Sequence, residues 1–300
     1  MLPAVAKIFT KILGKRIRRW ACHYLIMTPF LTGFREGFST MDNVFILDTL
    51  ITKYCAKKRG RLYASFIDFR KAFDSIDRNV LWPKLARIGI SHQMLRVLVA
   101  MYEDARFVVK MSTNNLSPSI ALTKGVRQGC PLSPTLFTFF VNDFPDILMT
   151  EDLLFPSLSG RLIPCLLYAD DLVLLSLIPK DLQTSLDILS QYSKLNRLEV
   201  NGAKSINMVF RKGTKSKRGE VWSYDGDKML TGTSFQYLGV FFSMDGSWRK
   251  HFKYRLRKAK TATAMTRKIV SQAYDMSINH ALSMLNALIS STASSLPYTT

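Results

Sequence analysis

Two hydrophobic periodicities alternate along this chain, one helical and one of strand length. Val5, Ile8, Phe9 and Ile12 recur at helical spacing in an otherwise basic stretch over about 3–20, and a second helical stretch covers about 40–57. Leu62 to Ile67 is a short apolar run that leads directly into Asp68. Ser91 is expected to cap a helix whose apolar face is Met94, Leu95, Leu98 and Met101, and Arg106 to Met111 alternates as a strand. After a turn over Lys124 to Cys130, Ser133-Pro134 reads as a cap and first-turn pair. The helix behind it is expected to bury Leu136, Phe137, Phe140, Val141 and Phe144. Leu162 to Tyr168 and Leu172 to Leu175 flank Ala169-Asp170-Asp171, the pattern of a β-hairpin with acids at its tip. Leu182, Leu186 and Leu189 mark a helix near 180–195, and Ile206 to Phe210 a strand. Asp225-Gly226 turns a further hairpin. Phe235 to Phe242 is strand-like, and 249–275 forms a strongly basic helix. The Ser- and Thr-rich last dozen residues lack periodicity and are expected to fray. With no internal repeat and no long Pro- or Gly-rich linker, the pattern predicts a compact mixed α/β enzyme.

Composition adds a partner. The 300 residues, 47% hydrophobic, suffice for one large domain or two smaller lobes. Lys and Arg number 42 against 22 Asp and Glu, a formal charge of +20 that favours nucleic acid or an acidic membrane surface. Cys22, Cys55, Cys130 and Cys165 stand singly, which argues against a zinc site or disulfide framework and for a reducing cytosol or nucleus. No apolar run approaches the ~18 residues of a membrane span. Residues 1–35 contain no acid and include Lys7, Lys11, Lys15, Arg16, Arg18 and Arg19. That stretch reads either as a mitochondrial transit peptide or as an amphipathic helix of the fold, basic face towards nucleic acid.

Two places set carboxylates where folding alone avoids them: Asp68 at the end of an apolar strand, and Asp170-Asp171 inside an apolar hairpin. Adjacent aspartates beside a buried sheet repel each other and lose hydration. The plain alternative is a polar β-turn, since Asp is an ordinary turn residue. A divalent cation resolves both costs, and Mg²⁺ favours a few carboxylates plus substrate phosphates. Such a trio supports two-metal phosphoryl or nucleotidyl transfer. Polymerase, nuclease and nucleotide-cyclase chemistry all remain open on physics alone.

Resemblance narrows the choice. Phe66-Ile-Asp-Phe-Arg-Lys-Ala-Phe-Asp-Ser-Ile-Asp-Arg78 resembles motif A of non-LTR (LINE-type) reverse transcriptases, Gly125-Val-Arg-Gln-Gly-Cys-Pro-Leu-Ser-Pro134 their motif B, and Tyr168-Ala-Asp-Asp-Leu-Val-Leu-Leu175 their motif C. Leu195 to Ser205 is similar to motif D, and Phe235-Gln-Tyr-Leu-Gly-Val240 to the primer-grip motif E. The resemblance implies an α/β (α+β) right-hand polymerase with an antiparallel palm sheet backed by helices. Residues 1–60 would be partial fingers, 61–245 the palm with an inserted fingers segment at about 80–124, and 246–300 the start of a thumb with a frayed tail.

By position in those motifs, Asp68, Asp170 and Asp171 would hold two Mg²⁺ (or Mn²⁺) ions, with the main-chain carbonyl of Phe69 as a further ligand. Phe73 matches the steric gate that selects deoxynucleotides, against the ordinary reading of a core Phe. Arg127, Gln128 and Gly129 would line the template–nucleotide pocket, glycine allowing close backbone approach. Lys204 is a general acid for the leaving pyrophosphate or a solvated surface lysine. Tyr237, Leu238 and Gly239 would form the primer grip, and Arg35 lies in the fingers motif near the template. The implied partners are an RNA template, a DNA primer and deoxynucleoside triphosphates, and no membrane. The basic loop 211–218 and helix 249–275 would bind backbone without base specificity.

The opening Met1-Leu-Pro-Ala lacks the basic hairpin ending in Arg-Pro-Ile that precedes a similar Leu-Pro stretch in relatives. These 300 residues include no endonuclease-like stretch and no Cys/His segment. The expectation is therefore a chain truncated at both ends, with an intact palm and incomplete fingers and thumb, residing in nucleus or cytoplasm. Its expected function is RNA-directed DNA polymerase. A catalytically silent nucleic-acid-binding remnant is the alternative, and a group II intron maturase ranks behind both.

Overall fold

The computed structural model describes residues 3–272 apart from 58, 104, 113–114 and 214–218, together with Ser283. At its centre lie Arg61–Asp68 (β1), Cys165–Tyr168 (β2), Asp171–Ser176 (β3), Ile206–Arg211 (β4) and Leu230–Gly232 (β5), forming one five-stranded sheet in the order β5-β4-β1-β3-β2. All neighbours are antiparallel except β4 and β5. Leu62 to Ile67 are all buried, so β1 is covered on both faces, and its sequence shows a continuous apolar run instead of alternation. On one face Phe66 meets Phe235 and Tyr237, with ring centroids 4.6 and 5.6 Å away. On the other, Tyr63 meets Trp222, whose indole N–H donates to the Pro179 carbonyl.

The helices follow the expected pattern. They are Ala4–His23 (α1), Thr40–Cys55 (α2), Ala72–Ser75 (α3), Arg78–Arg87 (α4), His92–Glu103 (α5), Ser133–Val141 (α6), Phe144–Leu148 (α7), Pro179–Asn196 (α8) and Arg249–Gln272 (α9). Ser39 and Asp42 form a reciprocal capping box that starts α2, and Ser91 Oγ accepts from Met94 N at the head of α5. Leu182, Leu186 and Leu189 are buried under α8 as their spacing required. Among the described residues, no helix is long and apolar enough to cross a membrane.

Four expectations are corrected. Ser133 is the first residue of α6 and not its cap; its hydroxyl donates to the Arg127 carbonyl at 2.7 Å, tying the preceding turn to the helix. The run Leu162 to Tyr168 is split: Arg161–Leu162 pairs with Ser157–Leu158, and β2 begins only after Pro164, which has no N–H to give a ladder. Arg106 to Met111 is two short strands, Arg106–Phe107 and Lys110–Ser112, because the ladder lapses at the half-exposed Val108 and Val109. Phe235 to Phe242 is a hairpin of Ser234–Tyr237 (β6) and Val240–Ser243 (β7). Its turn residues Leu238 and Gly239 take φ of 46° and 84°, the doubly left-handed geometry of a type I′ turn. The turn at Asp225-Gly226 forms as expected, with φ of 52° and 87°. The expected frayed tail, the end of the basic helix past 272 and most of the basic loop 211–218 lie outside the described residues.

One polar cluster pins three helices. Lys84 Nζ, on α4, donates to the Phe140 carbonyl (2.8 Å), to Asp143 Oδ1 (2.8 Å) and to the Tyr192 hydroxyl (2.9 Å). Desolvation pulls the Lys84 ammonium below the usual lysine range, and its bond to Asp143 works against that pull. Removing the cation would leave the Asp143 carboxylate and a buried tyrosine hydroxyl without it. We predict that Lys84→Ala lowers unfolding free energy by about 2 kcal/mol in urea titration, less than a fully buried pair because water reaches Asp143. A loss below about 0.5 kcal/mol would mean the cluster is not a staple.

Candidate active site

The register of the central sheet brings the predicted acids together. Asp68 at the end of β1 stands directly opposite Asp171 at the start of β3. Tyr168 pairs with Asp171 across the β2–β3 hairpin, leaving Ala169-Asp170 as a two-residue turn. Ala169 sits at φ 56°, an uncommon conformation for a residue with a side chain. Directly opposite residues of an antiparallel pair have Cβ atoms only ~5 Å apart, so like charges there are costly. The Asp171 side chain keeps contact with solvent on one side, yet its carboxyl is pushed up to about 6. Desolvation is the first cause, and the charges of Asp170 and Asp68 follow.

Among the described residues, no Lys or Arg forms an ion pair with any of the three acids. Nor, among those residues, are three His, Cys, Asp or Glu side chains drawn together into a ready cage. The chemistry of the donor set therefore fits a hard divalent cation.

Asp68 is held from behind by the segment between α8 and β4. Asn201 Nδ2 donates to Asp68 Oδ2 (3.1 Å), and the Asp68 amide donates to the hydroxyl of the fully buried Ser205 (3.1 Å). Asn201 N donates to the Asp68 carbonyl and Arg70 N to the Glu199 carbonyl, forming an isolated bridge of Phe69 with Val200. That bridge uses the groups of Asp68 and Arg70, so the Phe69 carbonyl is not spent on it. Lys204 is exposed and lines a cavity of about 340 Å³ together with Asp68, Asp171, Phe235, Gln236 and Tyr237. The cavity joins the acids to the β6–β7 hairpin.

The chain then reverses at Lys71, φ 46°, into the short α3. Phe73 is half-buried, its ring 5.0 Å from Phe137 and 6.4 Å from Phe34. The turn 125–128 is zipped onto α3: Gly125 N donates to Ile76 O, Val126 N to Phe73 O, and Gln128 Nε2 to both Asp74 carboxylate oxygens at 3.0 Å. Gly125 combines φ 78° with a close approach, a Cβ there falling 2.7 Å from the Asp74 carbonyl oxygen. Gly129, at φ 73°, faces open space.

Three expected contact residues turn inward instead. Arg127 leaves its neighbours Gln128 and Gly129, donating to the Met101 carbonyl at 2.6 Å and lying 5.5 Å over the Tyr102 ring. Arg35 donates to the Thr28 and Leu31 carbonyls, both at 3.0 Å, and stacks on Phe38. Desolvation lowers its pKa from the usual arginine range. Tyr237 is buried, with its hydroxyl accepting from Asn43 Nδ2 at 3.2 Å; Leu238 and Gly239 form the hairpin turn beyond it. Each cation or hydroxyl has found an internal partner that spacing along the chain does not reveal.

Sequence reasoning also missed Gly33, Asn201 and Ser205. A Cβ on Gly33 would be driven into the Ala169 amide nitrogen and lie 3.0 Å from the Tyr168 carbonyl carbon, so only glycine lets this loop back the acidic turn. Asn201 and Ser205 stand within the stretch similar to motif D, and Gly33 two residues before Arg35, but none of the three carried a role there.

Residues 1–242 match the family described as reverse transcriptase (RNA-dependent DNA polymerase). The Pol polyprotein of the type-1 retrotransposable element R2 from Popillia japonica is 26% identical over 250 residues, covering 81% of this chain and 34% of that protein. The RNA-directed DNA polymerase from mobile element jockey of Drosophila funebris is 23% identical over 284 residues, 90% of this chain and 30% of that one. The chain thus spans about a third of the length of these relatives. Telomerase from Candida tropicalis, solved with the TWJ fragment of telomeric RNA, matches in fold with a TM-score of 0.56 at 13% identity, over 93% of this chain and 45% of that one. With acids at the predicted strand ends and a family match running through most of its length, the chain belongs to the reverse transcriptase (RNA-dependent DNA polymerase) family, and the relatives named above are retrotransposon proteins.

Proposed function

We propose that this chain is a polymerase core that copies an RNA template into DNA. The primer 3′-oxygen would bond to the α-phosphorus of a deoxynucleoside triphosphate, and the bond to the pyrophosphate oxygen would break. The observation that carries the reading is Asp68 opposite Asp171, with Asp170 in the adjoining turn and the β6–β7 hairpin on the same cavity. Two Mg²⁺ or Mn²⁺ ions bound by these acids and the Phe69 carbonyl would activate the primer hydroxyl and stabilise charge on the transferring phosphate.

The chain's own groups do the rest in this reading. Lys204 would protonate the leaving pyrophosphate, a role supported by its position on the cavity of the acids. Phe73, wedged between Phe34 and Phe137, presents a ring edge beneath the incoming sugar and excludes a 2′-hydroxyl. Gln128 and Gly129 form the open edge of the nucleotide pocket, while Arg127 braces it from α5. Residues 61–245 act as palm and 1–60 as part of the fingers. The exposed cations of α9, which begins the thumb, track the nucleic-acid backbone without reading bases.

Primer extension on an RNA template is the primary test. Wild-type chain should incorporate deoxynucleotides only with Mg²⁺ or Mn²⁺, and Asp170→Ala/Asp171→Ala should lose at least ~10³-fold in rate. A folded, template-binding chain that incorporates nothing would instead establish a silent remnant. The gate is read separately: Phe73→Val should raise ribonucleotide incorporation relative to deoxynucleotide by about tenfold or more, one steric contact's worth of discrimination. An unchanged ratio removes Phe73 from that role.

The acid cluster also predicts a pH effect without metal. Folding raises the Asp171 carboxyl from 3.8 to about 6, so the folded state binds the extra proton and stability falls as pH rises through that window. In chelator above pH 6, Asp171→Asn should raise stability by about 1 kcal/mol, discounted for solvent screening, and melting temperature by about 2–4 °C. Near pH 4 the gain should vanish. A destabilised variant at pH 8 would show that the carboxylate is not held against repulsion.

A further inference from the structure

The three polar side chains Thr32, Asn43 and Tyr237 come from the loop after α1, from α2 and from β6, yet they meet in the core at 3%, 0% and 2% exposure. Thr32 Oγ1 donates to Asn43 Oδ1 (2.9 Å), and Asn43 Nδ2 donates to the Tyr237 hydroxyl (3.2 Å). Both ends of this relay reach the acids. At one end, residues 30–32 lie along β2: Leu167 N donates to the Phe30 carbonyl (2.9 Å) and Thr32 N to the Leu167 carbonyl (3.0 Å). Leu167 pairs with Leu172, one step from the Tyr168–Asp171 pair, and the next residue after Thr32 is the Gly33 that backs the acidic turn. At the other end, the Tyr237 ring packs on Phe66, two residues before Asp68 on the same face of β1.

We propose that Asn43 is a positioning residue that fixes the distance between the primer-contacting β6–β7 hairpin and the acidic β2–β3 turn. The proposal rests on the polymerase reading above for its catalytic consequence, though not for the coupling itself. A cavity of about 370 Å³ lined by Phe30, Thr32, Asn43, Ile46 and Leu166 adjoins the relay at its Thr32–Asn43 end, so packing there is incomplete and the two hydrogen bonds of Asn43 add a tie that apolar contact does not supply. Asn43 is followed on α2 by the buried Val44, Leu47, Leu50 and Ile51, where an apolar residue would have served burial equally well. Its amide supplies what an apolar side chain lacks: one acceptor and one donor, spent in opposite directions on the two elements whose spacing sets the reaction geometry. A displacement of the primer end by ~1 Å is enough to cost one to two orders of magnitude in rate.

The test uses Asn43→Leu, Thr32→Val, Thr32→Ser and Tyr237→Phe in the 300-residue chain, together with the Asn43→Leu/Tyr237→Phe double variant. Single-nucleotide incorporation should fall about tenfold in kcat for Asn43→Leu and Thr32→Val, with nucleotide KM within about twofold. Thr32→Ser, which keeps the hydroxyl, should stay near wild type. The double variant should be no slower than Asn43→Leu alone, because both break one relay. Amide hydrogen exchange reads the coupling without activity: Asn43→Leu should raise exchange in 165–171 and in 235–242 together, leaving α8 unchanged. A kcat within twofold of wild type, multiplicative rate losses in the double variant, or faster exchange in only one of the two segments would each overturn the proposal. If wild type incorporates nothing, the polymerase reading fails, and the exchange result alone decides whether Asn43 couples the two elements.

Discussion

The acidic end of the central sheet, with Asp68 directly opposite Asp171 and Asp170 in the adjoining turn, is the constraint around which the neighbouring segments are arranged. Left to themselves, three acids at one sheet end would spread, hydrate or fray the hairpin that holds them. What prevents this is the strand behind them. β1 is buried on both faces from Leu62 to Ile67, so its end cannot bend away without uncovering core. Asn201 and Ser205 then fix the orientation and amide of Asp68 with neutral donors and acceptors, which restrain the carboxylate without cancelling its charge. A lysine or arginine there would have relieved the repulsion and removed the reason to bind a cation. The Asp171 carboxyl stays raised there, by desolvation first and by the charges of Asp170 and Asp68 after it.

Distant segments are locked around that end by backbone contacts as much as by side chains. Gly33 backs the Tyr168–Ala169 peptide, and Gly125 backs Asp74 on the short helix that carries Phe73. In both places two main chains touch where any Cβ would intrude, so the loop before α2 and the turn before α6 have fixed positions relative to the acids. The hydrogen bonds of Gln128 to Asp74 and of Ser133 to the Arg127 carbonyl extend the same logic. The acids, Phe73 and the turn before α6 are therefore one rigid assembly drawn from four stretches of chain.

How much of this was legible in the sequence follows from how local each signal is. A strand that ends on Asp68 and a hairpin with acids at its turn are statements about adjacent residues, and the sheet register bears them out. Pro164 was equally local, and its missing N–H explains why β2 starts at Cys165. The Leu238-Gly239 turn was hidden because leucine seldom adopts positive φ, so the pair gives no turn signal and the hairpin reads as one strand. Arg35, Arg127 and Tyr237 sat in the right motifs, but the direction of a long side chain is decided by whichever carbonyl or amide the fold brings near. Asn43 is the extreme case, an ordinary polar residue on an amphipathic helix until Thr32 and Tyr237 arrive from opposite sides.

The same distinction governs the chain's charge. A formal +20 suggests a surface uniformly attractive to phosphate, yet Arg35, Arg78, Lys84 and Arg127 all spend their donors on main-chain carbonyls inside the fold. Arg61 and Arg211 share the buried carboxylate of Glu220. These cations contribute to rigidity and to the long-range field, with donors committed to partners within the fold. Exposed cations recur most densely along two helices, with Lys7, Lys11, Lys15, Arg16 and Arg19 on α1 and Lys253, Arg257, Lys258, Lys260 and Arg267 on α9. Close to a bound backbone, local counterion release and not the net charge sets affinity. In the proposed reading, two basic helices from opposite ends of the sequence would hold the polyanion, and the anionic cluster that lies between them in sequence would gather the cations.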